Sequence, residues 1–161
     1  VELETLLEKL HTGFSNLGGV RDAPFASLKG QLPLPVSGKV TSRFGARGRA
    51  NQLNSNGVFI ATATGAAVHA IHHGRVVFSD WLRGFGLLLI ISHGDGYMSL
   101  YGHNEVLFRE TGEWVLAGET IASTGQTGAA TEPGLYFEIR SAGKPTDPQQ
   151  WCQSGATRKT G

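Results

Sequence analysis

Cysteine is nearly absent from this chain, Cys152 being the only one among 161 residues. No intrachain disulfide can form, and cysteine usage points to neither an oxidising nor a reducing compartment; a partly buried thiol near the C-terminus is the expectation. Long apolar runs are missing as well. The longest spans Leu87 to Ile91, far short of the ~18 residues that a bilayer span requires. A surplus of one charge is missing too. Formal net charge is +1 with 17% charged residues, which leaves no broad electrostatic footprint for nucleic acid and demands no acidic polymer as partner. The chain opens at Val1 without methionine or a signal-peptide pattern, so a fragment of a longer precursor is expected.

Glycine is what the chain holds in excess: 23 residues, about twice the usual share of roughly 7%. The glycines fall between short apolar runs, which is the pattern of turn-dense β structure. With 40% hydrophobic residues the chain can bury one core, and a second full domain would be hard to accommodate.

Leu3, Leu6, Leu7 and Leu10 recur at i, i+3, i+4 and i+7, the spacing of an amphipathic helix ending near Gly13. Such a helix is too short to stand alone in water, and residues 1–13 are expected to be the end of an upstream helix or coiled coil. Residues 14–35 carry Gly18-Gly19, Pro24, Pro33 and Pro35 and are predicted to form a linker with an extended entry. From Gly38 onward the pattern changes to strands: Lys39–Phe44, Gly57–Ala61, Ala67–Ile71, Gly74–Asp80, Leu87–His93, Tyr97–His103, Trp114–Val115, Thr120–Thr124 and Leu135–Arg140. Hairpins are predicted at His73-Gly74 and Gly94-Asp95-Gly96. No helical periodicity follows residue 38. The fold class is all-β, an antiparallel sandwich or partly open barrel preceded by a short N-terminal helix. One domain fills residues 36–152, and 153–161 form a tail.

Strand alternation separates core from surface. On the last strand Leu135, Phe137 and Ile139 share the core face, leaving Gly134, Tyr136, Glu138 and Arg140 on the other. On the Gly57 strand Val58 and Ile60 point inward and Phe59 outward. Leu87 to Ile91 reads as buried on both faces, so Leu88 fits the core as well as a contact surface. Among the histidines, His69, His72 and His73 are expected at surface or satisfied polar positions, and His93, beside Gly94, in a turn. Arg43, Arg47 and Arg49 form a local basic loop, ordinarily a solvated one.

Several short motifs recur in a familiar order. Gly134, Leu135, Tyr136, Phe137, Glu138, Ile139 and Arg140, followed by Asp147-Pro148, resemble the final strand and exit turn of the LytM, or lysostaphin-like, peptidoglycan endopeptidases, where that strand reads H-x-H-F-E. Ser55-Asn56-Gly57-Val58-Phe59-Ile60 stands where the family has H-x-G-[IV]-D-[IL]. Ser42-Arg43-Phe44-Gly45, Gly84-Phe85-Gly86, Ser92-His93-Gly94 and Tyr101-Gly102-His103 extend the likeness over about residues 36–151. By this resemblance Ser55, Phe59, Gly134 and Tyr136 stand at zinc-ligand or base positions, and none supplies the expected donor. Catalytic zinc needs about three protein ligands plus an open water position. His103 matches the family histidine that assists the attacking water, and alone it holds no metal. No metal and no cofactor are therefore expected.

Within the family the chain is similar to a degenerate branch of murein hydrolase activators. That resemblance implies a non-enzymatic, periplasmic protein at the division septum that stimulates an N-acetylmuramoyl-L-alanine amidase, with an upstream coiled coil held by the FtsE-FtsX complex and peptidoglycan as a further contact. An apolar cleft freed of metal is a receptor for an amphipathic helix. The groove residues expected to meet it are Phe59, Phe85, Leu88, Tyr136 and Arg140. Two other functions stay open on sequence grounds: an active zinc endopeptidase with unorthodox ligands, and a passive peptidoglycan-binding module.

Overall fold

The computed structural model describes residues 2–14, 24–45 and 55–153. Arg47, Arg49 and nearly all of the expected tail lie outside the described residues. The chain forms helix α1 (Glu2–Phe14), ten strands, and helix α2 (Pro148–Trp151). The strands are β1 (Lys39–Ser42), β2 (Val58–Ala61), β3 (Ala67–His69), β4 (Gly74–Leu82), β5 (Gly86–Gly94), β6 (Tyr97–Leu107), β7 (Trp114–Val115), β8 (Thr120–Thr124), β9 (Gly134–Ser141) and β10 (Lys144–Thr146). They pair in the order β1-β2-β9-β6-β5-β4-β7, with β10 on β9 and β8 bridging β3 and β6. Every pairing between these strands is antiparallel, as the alternating pattern predicts.

Long β6 makes the curvature. Its first half lies between β5 and β9, whereas Asn104 to Leu107 turn away to pair with β8. The Gly94-Asp95-Gly96 hairpin forms between β5 and β6. The one expected at His73-Gly74 does not: β3 pairs with β8, while β4 pairs with β5 and β7, so that turn carries the chain between separate pairings. Three elements went unread, one of them a single 3₁₀ turn at Phe25–Leu28 within the expected linker. Three-residue β10 is too short to show a period, and one-turn α2 is set by Asp147, whose carboxylate accepts from the Gln149 amide at 3.0 Å, with Pro148 in the first turn.

The sheet buries apolar side chains on both faces. Val58, Ile60, Leu89, Ile91, Leu135, Phe137 and Ile139 form the main core with β3, β8 and α2. On the opposite face Val77, Leu88, Ile90, Met98 and Leu100 meet Leu3, Leu7 and Leu10 of α1. The leucine stripe read from the sequence thus docks on the sheet of this same domain. The segment expected as linker also contributes: Phe25, Leu32 and Val36 are core residues, the Gly30 and Leu32 amides donate to the Trp151 carbonyl, and the Gln153 amide donates to that of Leu32.

His93 is a core residue, not a turn residue. Phe25 stacks on its ring at 4.6 Å, and its two nitrogens are both engaged. Nδ1 lies 2.9 Å from the His73 carbonyl and therefore donates, so Nε2 accepts from the Ser99 hydroxyl at 2.7 Å. Ser99 Oγ in turn sits 2.8 Å from the Tyr101 hydroxyl, which receives the Ile71 amide at 3.2 Å. Every proton in this buried relay has one place to go, provided His93 is neutral. Burial accordingly pushes its pKa from 6.5 down to about 3.

Candidate functional site

The α1 side of β9 is where chemistry-bearing residues collect. Phe59 and Tyr136 are register partners on β2 and β9, and Gly102 lies opposite Tyr136 on the other flank. A side chain at Gly57 would meet the Phe137 carbonyl and come within 2.7 Å of Glu138 Cγ. Only glycine lets these strands approach so closely. His103 sits between the aromatics, 6.3 Å from the Phe59 ring and 6.1 Å from that of Tyr136. Phe85, on the β4–β5 turn, lies 5.6 Å from Tyr136. Phe59, Phe85, Tyr136 and His103 are all partly exposed, so they converge on one accessible, largely aromatic surface.

His103 is held from two sides. Its amide donates to the Phe85 carbonyl at 2.7 Å, and Nδ1 donates to the Thr127 carbonyl at 2.8 Å. The residue adopts a left-handed φ of 66°, uncommon for a side chain with a Cβ. With Nδ1 committed, Nε2 carries the lone pair, and burial holds the pKa below the usual imidazole value. A cavity of about 290 Å³ opens beside it, lined by Thr41, Ser42, Phe59 and Glu132 among others.

Zinc is the metal the resemblance implies, and the positions that would hold it do not fit it. The Ser55 hydroxyl is spent in a local turn, donating to the Gly57 carbonyl at 2.9 Å and accepting its amide at 3.3 Å. At Gly134 a Cβ would lie 2.6 Å from the Phe59 ring, so the aromatic fills the place of the first histidine of the family's H-x-H-F-E strand. The Tyr136 hydroxyl donates to Glu138, and burial raises its pKa, keeping it a neutral donor. Among the described residues no group of three or more His, Cys, Asp or Glu could hold a metal ion.

Leu88 and Arg140 are placed differently from the other groove candidates. Each is sealed from solvent, Leu88 in the apolar layer against α1 and Arg140 at 1% exposure. Arg140 Nε donates to Glu138 Oε1 at 2.5 Å, and Nη1 reaches both Glu4 oxygens, at 2.9 and 3.1 Å, and the Gly143 carbonyl at 3.1 Å. Nη2 is buried with no hydrogen-bond partner. An outward-facing arginine was expected, and α1 is the reason it is covered. Glu4 is the residue that motif reading missed; its only signal is a carboxylate one turn before Leu7 on the apolar stripe.

Residues 53–148 match Peptidase family M23. The chain belongs to that family. Its M23 domain is 42% identical over 123 residues to the murein hydrolase activator EnvC of Escherichia coli (strain K12), covering 76% of this chain and 29% of that protein. It is 41% identical over 118 residues to the murein hydrolase activator NlpD of the same organism, covering 73% of this chain and 30% of that protein. The chain therefore spans less than a third of the length of either relative. The catalytic domain of lysostaphin from Staphylococcus simulans superposes with a TM-score of 0.60 at 27% identity, covering 66% of this chain and 85% of that one. The lysostaphin-like antiparallel fold and the likeness to murein hydrolase activators both hold.

Proposed function

We propose that this M23 domain is a non-catalytic activator of peptidoglycan amidases, binding a regulatory helix of an N-acetylmuramoyl-L-alanine amidase in the groove at the former zinc position. The observation that carries the reading is α1. Its leucines fill the apolar floor made by Leu88, Ile90, Met98 and Leu100, and its Glu4 carboxylate meets Arg140. This face thus already accepts an amphipathic helix bearing an acidic residue, the mode of recognition that apolar grooves serve.

A partner helix would use the same floor and extend over Tyr136, Phe85 and Phe59. Each buried Phe or Leu anchor contributes roughly 1.5–3 kcal/mol. Where an amidase keeps its own zinc site covered by a helix, binding that helix in its displaced position shifts the population toward the open enzyme. For Leu88 and Arg140 to take part, α1 has to lift from the groove. The setting that goes with this reading is the periplasm at the division septum, in daughter-cell separation, with an upstream coiled coil engaging FtsE-FtsX.

The test is dye release from labelled peptidoglycan by a zinc amidase with and without the chain. Stimulation by a chain that releases no dye on its own is the expected result. Release by the chain alone, together with about one tightly held zinc per molecule, would replace this reading with that of an active endopeptidase. Retention on purified sacculi with no effect on any amidase would leave a peptidoglycan-binding module.

A further inference from the structure

We infer that Glu138 is a positioning residue for partner recognition, a single buried carboxylate that aims both the Tyr136 ring and the Arg140 guanidinium into the groove; this rests on the helix-binding reading above. Tyr136, Glu138 and Arg140 occupy alternate positions of β9 and so share one face. Glu138 is 1% exposed. Its Oε2 accepts from the Tyr136 hydroxyl and its Oε1 from Arg140 Nε. With each oxygen bonded to a different neighbour, the carboxylate cannot rotate without releasing one of them.

Both oxygens accept and neither donates, which is the bonding of an ionised carboxylate. Burial raises the pKa of Glu138, and the hydrogen bond and charge of Arg140 oppose that rise. For Arg140 the tether has a geometric result. Spending Nε inward fixes the guanidinium plane and leaves the two Nη groups, of which Nη1 reaches Glu4 on α1 and the Gly143 carbonyl and Nη2 has no hydrogen-bond partner. An arginine fork binds a carboxylate best through two parallel N–H donors, and the contact with Glu4 uses one nitrogen only. The groove therefore presents an incompletely satisfied fork, aimed by Glu138 at whatever helix lies there.

Glu138→Gln keeps the shape and removes the charge. It is measured in the 161-residue chain carrying Leu7→Asp, so that changes in α1 docking do not mask the effect, by titrating a zinc amidase that the wild-type chain stimulates. The expected result is about a tenfold higher half-saturating concentration with unchanged stimulation at saturation. In a Tyr136→Ala, Arg140→Met background the same substitution should have no effect on affinity, because nothing is left to aim. The Arg140 Nε–H resonance in ¹⁵N spectra should lose its protection from exchange. Should Glu138→Gln fail to fold, Tyr136→Phe removes one arm of the tether alone and should raise half-saturation about threefold.

A folded Glu138→Gln protein with wild-type half-saturation overturns the inference, as does an equal loss in the background lacking Tyr136 and Arg140. A wild-type chain that stimulates no amidase removes the functional reading itself, and the inference with it.

Discussion

Two buried polar networks lie on opposite faces of one sheet, and they are built to different rules. The network around His93, Ser99 and Tyr101 is neutral, donor matched to acceptor, and sealed by Phe25 from the same domain. The one around Tyr136, Glu138 and Arg140 is charged, ends in an unsatisfied Nη2, and is closed by the side chain of Glu4 on a helix. Satisfaction of every group makes a network part of the fold. The other keeps one unfilled donor beneath α1, which is where the proposed partner helix would bind.

The sharpest way to break the contrast is Arg140→Ala. It leaves the Glu138 carboxylate buried without its cation, and loss of one member of a buried pair costs about 3–5 kcal/mol. Urea unfolding should show it, and a stability equal to wild type would mean that Glu138 is solvated. The sequence places Arg140 on the outward face of its strand, where it would pair with a carboxylate of a partner or with Glu138 or Asp147, and the Glu138 pairing is present. Its burial makes it a stability residue too.

Acid should strike the neutral network first. Unfolded His93 takes up a proton near pH 6.5, whereas the folded residue resists until about pH 3. The unfolded state binds more protons in that window, so stability falls as pH drops from 6.5 toward 3, by up to about 1.4 kcal/mol per pH unit. A variant such as His93→Phe, even if less stable at neutral pH, should show a shallower slope. Identical slopes in unfolding curves from pH 7 to 4 would place the acid sensitivity elsewhere.

Leu7→Asp tests the cover. Putting a charge at a position 2% exposed should release α1, costing on the order of 3 kcal/mol of docking while raising amidase stimulation at a given concentration. Lower stimulation would mean that α1 belongs to the binding surface. Tyr136→Ala should lose about 2 kcal/mol of partner affinity, as central aromatic anchors do, read by calorimetric titration in the Leu7→Asp background. The smallest effect belongs to His103→Ala. Its ring packs against Phe59 and Tyr136, and under the non-catalytic reading stimulation should stay within about twofold of wild type, a free-energy change of roughly 0.4 kcal/mol at the scale of 1.4 kcal/mol per tenfold. A severe loss in a folded protein would revive the peptidase reading.

The groove was legible as far as strand period could carry it. Alternation put Tyr136, Glu138 and Arg140 on one face of their strand and Phe59 on the outward face of its own; that the two strands are neighbours was implied only by the family resemblance. What alternation cannot show is a lid. The Glu4–Arg140 contact joins residues 136 apart, and no local pattern around either one announces the other. His93 failed for the same reason. A glycine after it signals a turn, yet its surroundings are decided by Phe25, which stacks on it and is itself backed by Trp151 from the other end of the domain.

The pairing of Leu32 with Cys152, flanked by the bonds of Gly30 and Leu32 to Trp151 and of Gln153 to Leu32, has a mechanical consequence. Tension applied at the N-terminus would reach α1 before it reached the sheet. A helix held by Leu3, Leu6, Leu7 and Leu10 and one ion pair gives way by peeling, one contact after another. The backbone bonds at Leu32 lie alongside a parallel partner and would be loaded together, in shear. The helix over the groove and the segment at Leu32 are thus attached in mechanically different ways, the first in a peeling geometry and the second in shear.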